Sequence, residues 1–531
     1  MPEMTGGQAL AKSLYREGVR VIFGLPGVQM YGAMDGIAAE PGIRFIAARH
    51  EQATAYMADG YARASGEIGT CLVVPGPGLL NASAAIGTAY AASSPVLVVS
   101  GQIQRDFIGR DVGMLHEVND QMEAIKQVTK AAFRAVDAKE IPSMMHEAFR
   151  ELRTGRPRPV EVEIPPEALE EIKDIDLLEP GDYGRPAASK AQVAEAACIL
   201  AGAKDPIIWA GGGVISSGGS VSLVAIAEHL QAPVMTTHEG KGAIDERHYL
   251  SRRTLKARTD TLREEIRKHD VVLAVGTRFA SVFPDPGQRV VQIDIDSSEI
   301  GRNHANTFAV HGDARQTLEV LQTELKLISQ PRESRQTEME AWKIERFGPS
   351  RQYEPQKGFN EALRAAIPSD GILVAGMTQL GYYGRNFYEV YEPGTYLNSS
   401  YFGNLGFAYP TALGVKVARP DKPVVALSGD GGFLFNSQEL ATAVQYGINV
   451  VVVVFNDNAF GNVLRDQEER YGRVIGSELH NPDFVKLAQA YGARGVRADS
   501  PAALELALRE AIGIEAPTLI EVPVGPMPSP F

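Results

Sequence analysis

Only two cysteines occur in 531 residues, Cys71 and Cys198, and neither has a second cysteine or a histidine spaced to share a metal. That speaks against a disulfide framework and against a cysteine–histidine zinc site. Cys71 lies in the apolar run Thr70 to Val74 and reads as a buried structural thiol. Positive charge is also short: 52 basic against 65 acidic residues leave a net charge of -13. A general nucleic-acid or anionic-membrane surface is therefore not expected. No run approaches the ~20 apolar residues of a membrane span. The N-terminus, Met1 to Gly7, has no basic segment leading into an apolar core, so no signal peptide is read. The expectation is a cytoplasmic protein. The triple glycine Gly211 to Gly213 lacks the spacing of a dinucleotide fingerprint and reads as a structural turn, which disfavours a nicotinamide dehydrogenase.

What is present is α/β in character. Short β-branched runs recur between helix-patterned segments: Arg20 to Phe23, Gly69 to Val74, Pro95 to Val99, Val271 to Val275, Val424 to Leu427 and Val450 to Phe455. Runs that are apolar throughout suit parallel strands covered on both faces. A chain of this length exceeds one hydrophobic core. Two polar stretches, after Pro166 and from Ser329 towards Gln356, divide it into units expected at 1–170, 185–335 and 355–531.

The sharpest motif is Ser428-Gly429-Asp430-Gly431-Gly432-Phe433, directly after the run Val424 to Leu427. Glycines at a strand end let the backbone approach a phosphate. An aspartate there repels a bare phosphate, so it makes chemical sense with a bridging divalent cation that takes oxygen ligands. By itself Gly-Asp-Gly is as well explained by a tight turn. A helical segment, Asn436 to Tyr446, follows, and then a second apolar strand ending in Phe455-Asn456-Asp457-Asn458-Ala459-Phe460-Gly461. Two consecutive parallel strands thus deliver oxygen-bearing side chains at their carboxyl ends, the ligand-binding edge of open α/β sheets.

In these residues the chain resembles the thiamine-diphosphate-dependent enzymes, in particular the acetohydroxyacid synthase and pyruvate oxidase group. The resemblance covers nearly the whole chain. It implies three doubly wound parallel-sheet domains: pyrimidine-binding, central Rossmann-like and diphosphate-binding. It also implies Asp430, Asp457 and the backbone carbonyl of Ala459 as ligands of Mg2+ or a similar ion. Gly429, Gly431, Gly432, Phe460 and Gly461 would line the cofactor, and Thr378 and Gln379 would help hold its diphosphate. Asp457 stands where many members have Asn; a carboxylate is still a good hard-metal ligand. Arg49-His50-Glu51 and the residues to Arg63 look like the family's glutamate motif. There, an acid hydrogen-bonds the pyrimidine ring and promotes its reactive tautomer; burial favours its protonated form. Without a cofactor, Glu51 reads as an acid at a helix N-terminus. The segment Ser400 to Pro410 is similar to the family's wedge, with Leu405 beneath the cofactor and Gly403 beside it, although ordinary core packing predicts a similar residue.

The resemblance further implies a homodimer with active sites shared between subunits, commonly paired into a homotetramer. Gln29 and His116 fall in segments that carry pocket His and Gln residues in benzaldehyde lyase and its relatives; a lone histidine is also commonly structural. The acetohydroxyacid synthase Met and Gln-Trp pair are missing after Gly461, where the chain reads Asn462 to Asp466 with Arg465 expected exposed. The chain also lacks the His-His pair of pyruvate-decarboxylase-type enzymes, and Ser251 to Leu255 replaces a Gly-Met-His-Gly stretch, so FAD is disfavoured. The expected substrate is a 2-oxo acid, or a 2-hydroxy ketone or aldehyde, with acetolactate-type synthesis leading. A benzaldehyde-lyase-like lyase or carboligase, an FAD-dependent 2-oxo acid oxidase and a non-catalytic cofactor-binding regulator are the alternatives.

Overall fold

The computed structural model describes residues 3–255, 260–280, 282 and 284–529. Residues 1–2 and 530–531, at the outer bounds of the expected first and third units, lie outside the described residues. Three separate parallel sheets carry the fold. The first runs Arg44–Ala47, Val21–Gly24, Gly69–Val73, Val96–Gly101, Val160–Ile164, Ala131–Arg134. The third runs Tyr396–Asn398, Ile372–Ala375, Val424–Gly429, Val451–Asn456, Thr518–Pro523, Arg494–Arg497. Numbered along the chain within each sheet, both have the order 2-1-3-4-6-5. All six apolar runs read from the sequence are strands and all are mostly buried.

The central sheet runs Val234–Thr236, Pro206–Ala210, Val271–Val275, Arg289–Asp294, Thr307–His311, which is order 2-1-3-4-5 among the described residues. This is the flavodoxin-type doubly wound order and not the 3-2-1-4-5-6 of dinucleotide-binding Rossmann domains, which refines the Rossmann-like expectation. A two-stranded antiparallel ladder pairs Glu3–Thr5 with Ile172–Asp174 and ties the N-terminus to the end of the first unit. The polar stretch after Ser329 is more than a linker: it contains the helix Gln336–Phe347, whose Met339 and Phe347 are buried.

The first and third units share one hydrophobic core. It is built around the helix Glu51–Ser65 crossing the helix Ala408–Ala418. The crossing is close because glycines stand at it. A Cβ on Gly60 would lie 2.1 Å from the Thr411 carbonyl oxygen, and one on Gly414 1.9 Å from that of Met57. Among the described residues no helix is long and apolar enough to cross a membrane. Cys71 is buried, and burial pushes its thiol up to about 12, while Cys198 is exposed; both are free.

Candidate active site

In an open sheet of order 2-1-3-4-6-5 the crevice opens between strands 1 and 3, where the connections leave in opposite directions. In the third unit these strands are Ile372–Ala375 and Val424–Gly429. Thr378 and Gln379 follow the first of them and Asp430 follows the second. A Cβ on Gly429 would lie 3.4 Å from the Thr378 side chain, so the two strand ends meet. Asp430 is only 2% exposed. The Gly431 amide donates to its Oδ1 at 2.7 Å, and Asn481 Nδ2 donates to its Oδ2 at 2.6 Å. Asn481 Nδ2 also reaches Asn456 Oδ1 at 3.0 Å.

Asp457 follows the neighbouring strand, and its Oδ1 accepts from the Ala459 amide at 3.3 Å. The loop turns at Asn458, whose φ is +55°. It is pinned by the Phe460 amide on the Ser477 carbonyl at 2.8 Å and the Leu479 amide on that of Asn458 at 2.7 Å. A Cβ on Gly431 would lie 2.4 Å from the Phe460 ring, and one on Gly461 2.5 Å from Asp457 Oδ2 and 3.3 Å from Gln379 Nε2. Leu405 Cδ2 lies 3.8 Å from the Cβ position of Gly432, and Gly403 (φ +69°) faces Met377. The structure thus brings together Thr378, Gln379, Gly403, Leu405, Gly429 to Gly432 and Asp457 to Gly461.

The electrostatics of this edge fit a divalent cation. Burial raises the Asp430 carboxyl, offset by its hydrogen bonds from Gly431 and Asn481. Burial, and then the Asp430 charge, push Asp457 up to about 6. Among the described residues neither forms an ion pair with Lys or Arg. Two adjacent carboxyls resist joint ionisation, and a hard cation removes that penalty. Asn481 Oδ1 is buried without a hydrogen-bond partner, a spare oxygen at the same place. No group of three or more His, Cys, Asp or Glu side chains is arranged to hold an ion among the described residues. An ion here would therefore complete its shell with backbone or cofactor oxygens.

The first unit presents a different edge. Glu51 opens the helix Glu51–Ser65, which His50 caps by accepting from the Gln52 amide at 3.1 Å and Gly66 ends in left-handed geometry at φ +79°. Glu51 is half-buried, less than the sequence reading asked, and its Oε2 accepts from Asn81 Nδ2 at 3.1 Å. Gln29, 4% exposed, donates through Nε2 to the Leu115 carbonyl at 3.0 Å. Its Oε1 lies 2.8 Å from His116 Nδ1. Since Gln29 must donate to a carbonyl on one side, its oxygen accepts from Nδ1–H on the other, which leaves Nε2 of a neutral His116 as the acceptor. His116 has φ +70°, a strained backbone for a histidine. None of the hydrogen bonds among the described residues joins Glu51 to the Asp430 cluster. The two units meet instead through Asn436 Nδ2 on Gln52 Oε1 (3.1 Å), the Arg49 amide on Glu439 Oε1 (3.0 Å) and Asn404 Nδ2 on the Ala84 carbonyl (2.7 Å).

Several placements differ from the sequence reading. Arg465 is half-buried, with Nη1 3.5 Å from Gln379 Oε1 and from the Met527 carbonyl. Asn481 and Asn81 carry little signal in the sequence. Asn481 sits in an Asn-Pro turn that reads as plain loop; Asn81 is a polar residue on an Ala- and Leu-rich helix, the one signal available. In the central unit, Cβ atoms on Gly211 and Gly213 would lie 2.2 and 2.6 Å from Gly276 backbone atoms, so the triple glycine lets two strand-end loops touch. The same loops, with Arg156, Thr254, Leu255, Arg278 and Asp294, line a cavity of about 1090 Å³ between the units.

Comparison with known proteins finds likeness along most of the chain. Residues 4–124 match the thiamine pyrophosphate enzyme N-terminal TPP binding domain, 193–321 the central domain and 376–522 the C-terminal TPP binding domain. A probable acetolactate synthase large subunit of Methanocaldococcus jannaschii is 35% identical over 98% of this chain and 92% of its own length. A probable 2-ketoarginine decarboxylase of Pseudomonas aeruginosa is 34% identical over 98% and 94%. The acetolactate synthase isozyme 3 large subunit of Escherichia coli is 33% identical over 96% and 93%. With three matching domains and relatives alike over nearly their full length, the chain belongs to the thiamine-diphosphate-dependent enzymes.

Proposed function

We propose that this protein decarboxylates a 2-oxo acid with thiamine diphosphate and Mg2+ and passes the remaining acyl unit to a proton or to a carbonyl acceptor, as acetolactate synthases do. The observation that carries the reading is the carboxyl pair of buried Asp430 and half-buried Asp457, without a Lys or Arg partner among the described residues, on the crevice edge of the third sheet. Bound thiamine diphosphate supplies the electron sink for carbon–carbon bond cleavage and formation. The chain's own part is to hold it, exclude water and move protons. Asp430, Asp457 and the Ala459 carbonyl would hold the ion, while Gly429 to Gly432, Phe460, Gly461, Thr378 and Gln379 would line the diphosphate. Leu405 and Gly403 would support the pyrimidine. Glu51 would protonate its ring nitrogen, and His116, oriented by Gln29, would exchange protons with the substrate oxygen.

Among the described residues Glu51 has no hydrogen bond to its own chain's Asp430 cluster, which supports a site completed by a second copy. Exposed apolar residues flank both halves: Leu115 (60% exposed), Val28 and Leu80 by Glu51 and Gln29, and Phe435, Val463 and Ile475 (82%) by the Asp430 edge. Such residues suit an interface between copies of the chain.

The Gln29–His116 pair favours one other reading, a lyase or carboligase acting on 2-hydroxy ketones. The central cavity favours another, a flavin-bearing member, and an absorption spectrum of the purified protein tests that directly. A panel of 2-oxo acids and 2-hydroxy ketones, with and without acceptor aldehydes and read by mass spectrometry, tests the main reading. Carbon dioxide release with a ligated or protonated product is expected from a 2-oxo acid. Turnover of 2-hydroxy ketones alone would overturn it.

A further inference from the structure

The strand Val160–Ile164 reads Val-Glu-Val-Glu-Ile, and both glutamates are fully buried. Residues two apart on a strand face the same side, so the two carboxyls share one face of the first sheet. Buried carboxyls persist only when hydrogen-bonded or neutral. Glu163 is held by an ion pair with Arg134 and by Gln121 Nε2 at 2.9 Å. Glu161 Oε1 accepts from Ser100 Oγ at 2.5 Å, while its Oε2 has no partner. Burial, then the nearby Glu163 charge, raise the Glu161 carboxyl well above the usual range. Glu161, its carboxyl raised by burial, thus stands beside Glu163, which is paired with Arg134 and Gln121.

Gln121, 3% exposed, is the hub. Its Nε2 also lies 3.2 Å from Ser100 Oγ and 2.9 Å from the Gly101 carbonyl. Its Oε1 accepts from the Gly76 amide at 2.7 Å. In the turn Pro75-Gly76-Pro77 that amide is the only N–H, because proline has none. Gly76 is also the residue that caps the helix Pro77–Ala92, which bears Asn81, the hydrogen-bond donor to Glu51. A Cβ on Gly76 would lie 2.2 Å from the His116 carbonyl oxygen, and one on Gly78 3.7 Å from Glu51 Cγ. The Gly76 turn and the first residues of its helix therefore pack against the His116 backbone and the Glu51 side chain.

We propose that Gln121, anchored on Glu163, is a positioning residue that clamps the Gly76 turn and thereby sets His116 and Glu51 in register for the reaction. The catalytic consequence rests on the thiamine-diphosphate reading above; the clamp itself does not. The charged groups facing Gln121 are Glu161 and Glu163 on one strand and Arg134 on the next, with Lys126 nearer the surface.

The test uses the full-length protein, with and without thiamine diphosphate and Mg2+, and two variants. Q121M keeps the size and loses all four side-chain hydrogen bonds. In Q121E an oxygen can still accept from Gly76, but the other faces Glu163 and must carry a proton to stay there. Q121M is expected to raise amide hydrogen exchange of the peptide spanning residues 74–80 in the apo protein by ~10-fold. With cofactor it is expected to slow C2 proton exchange and kcat by ~10-fold at nearly unchanged cofactor affinity. Q121E is expected to recover both at pH 6, where its acid is protonated, and to lose them at pH 8, where two carboxylates repel. Loss of heat stability alone, with wild-type C2 exchange per bound cofactor, would overturn the proposal. So would Q121E that follows the wild-type pH profile, a readout that also decides the matter if Q121M does not fold. Absence of C2 exchange in the wild type would sink the functional reading instead and leave the clamp to the apo-protein exchange data.

Discussion

The first and third units each have six strands in the same 2-1-3-4-6-5 order, yet their carboxyl edges carry different residues. The third edge is glycine-rich and acidic, with Asp430 buried and Asp457 half-buried, and neither paired with Lys or Arg among the described residues. The first edge carries an acid at a helix start and an amide–imidazole pair, Glu51 and Gln29–His116, with no counterpart of the carboxylate cluster. Topology supplies the crevice in both; in the proposed function, the residues at the strand ends decide whether it would hold an ion and a diphosphate or handle protons.

That contrast can be broken by moving its key residues. Asp430→Ala removes the buried half of the acidic pair and is expected to weaken Mg2+-dependent thiamine diphosphate binding by ~100-fold or more, read by titration calorimetry. Unchanged affinity would detach the third edge from the cofactor. Glu51→Gln should leave that affinity nearly intact and slow C2 proton exchange on bound cofactor by ~100-fold or more, read by quenched-flow NMR. A variant that exchanges at the wild-type rate would make Glu51 no more than a helix-terminal acid. Gln29→Leu frees His116 Nδ1 and strands the Leu115 carbonyl; kcat/KM should fall ~10-fold, with a changed pH profile.

The contact between the two units gives the smallest effect. Glu439 lies in it, buried, accepting from the Arg49 amide and from Thr442 Oγ1 at 2.6 Å. Burial pushes its carboxyl up to about 7 from an ordinary 4.5. The folded protein therefore keeps a proton that the unfolded chain releases, and this stability is full below the ordinary range and lost as pH rises through about 7. The melting midpoint should fall between pH 5 and pH 8, and fall less in Glu439→Gln. An identical slope in the variant would remove Glu439 from the account.

How much of this was legible in the sequence depends on distance along the chain. The six apolar strands, the Asp430 turn and the helix start at Glu51 are local patterns, and local patterns can be read directly. The common strand order of the two outer units was not, because it is held by hydrophobic alternation and connection handedness and not by matching residues. The Gln29–His116 contact joins residues 87 apart, and Asn481 reaches Asp430 across 51, so only the folded sheet edges bring them together. The strand Val160–Ile164 misleads outright: alternating glutamates suggest one solvated face, whereas Gln121, Ser100 and Arg134 partner them in the interior. The polar stretch after Ser329 likewise reads as linker, since Met339 and Phe347 are too few to signal a helix face.

The central claim is that Glu51 of one chain serves the Asp430 edge of another. Coexpression of Glu51→Gln and Asp430→Ala chains, each inactive alone, tests it most directly. In a shared-site dimer the mixed pairs hold one intact site, so activity should return to about a quarter of wild type with random pairing. Activity no higher than that of either variant alone would contradict the claim.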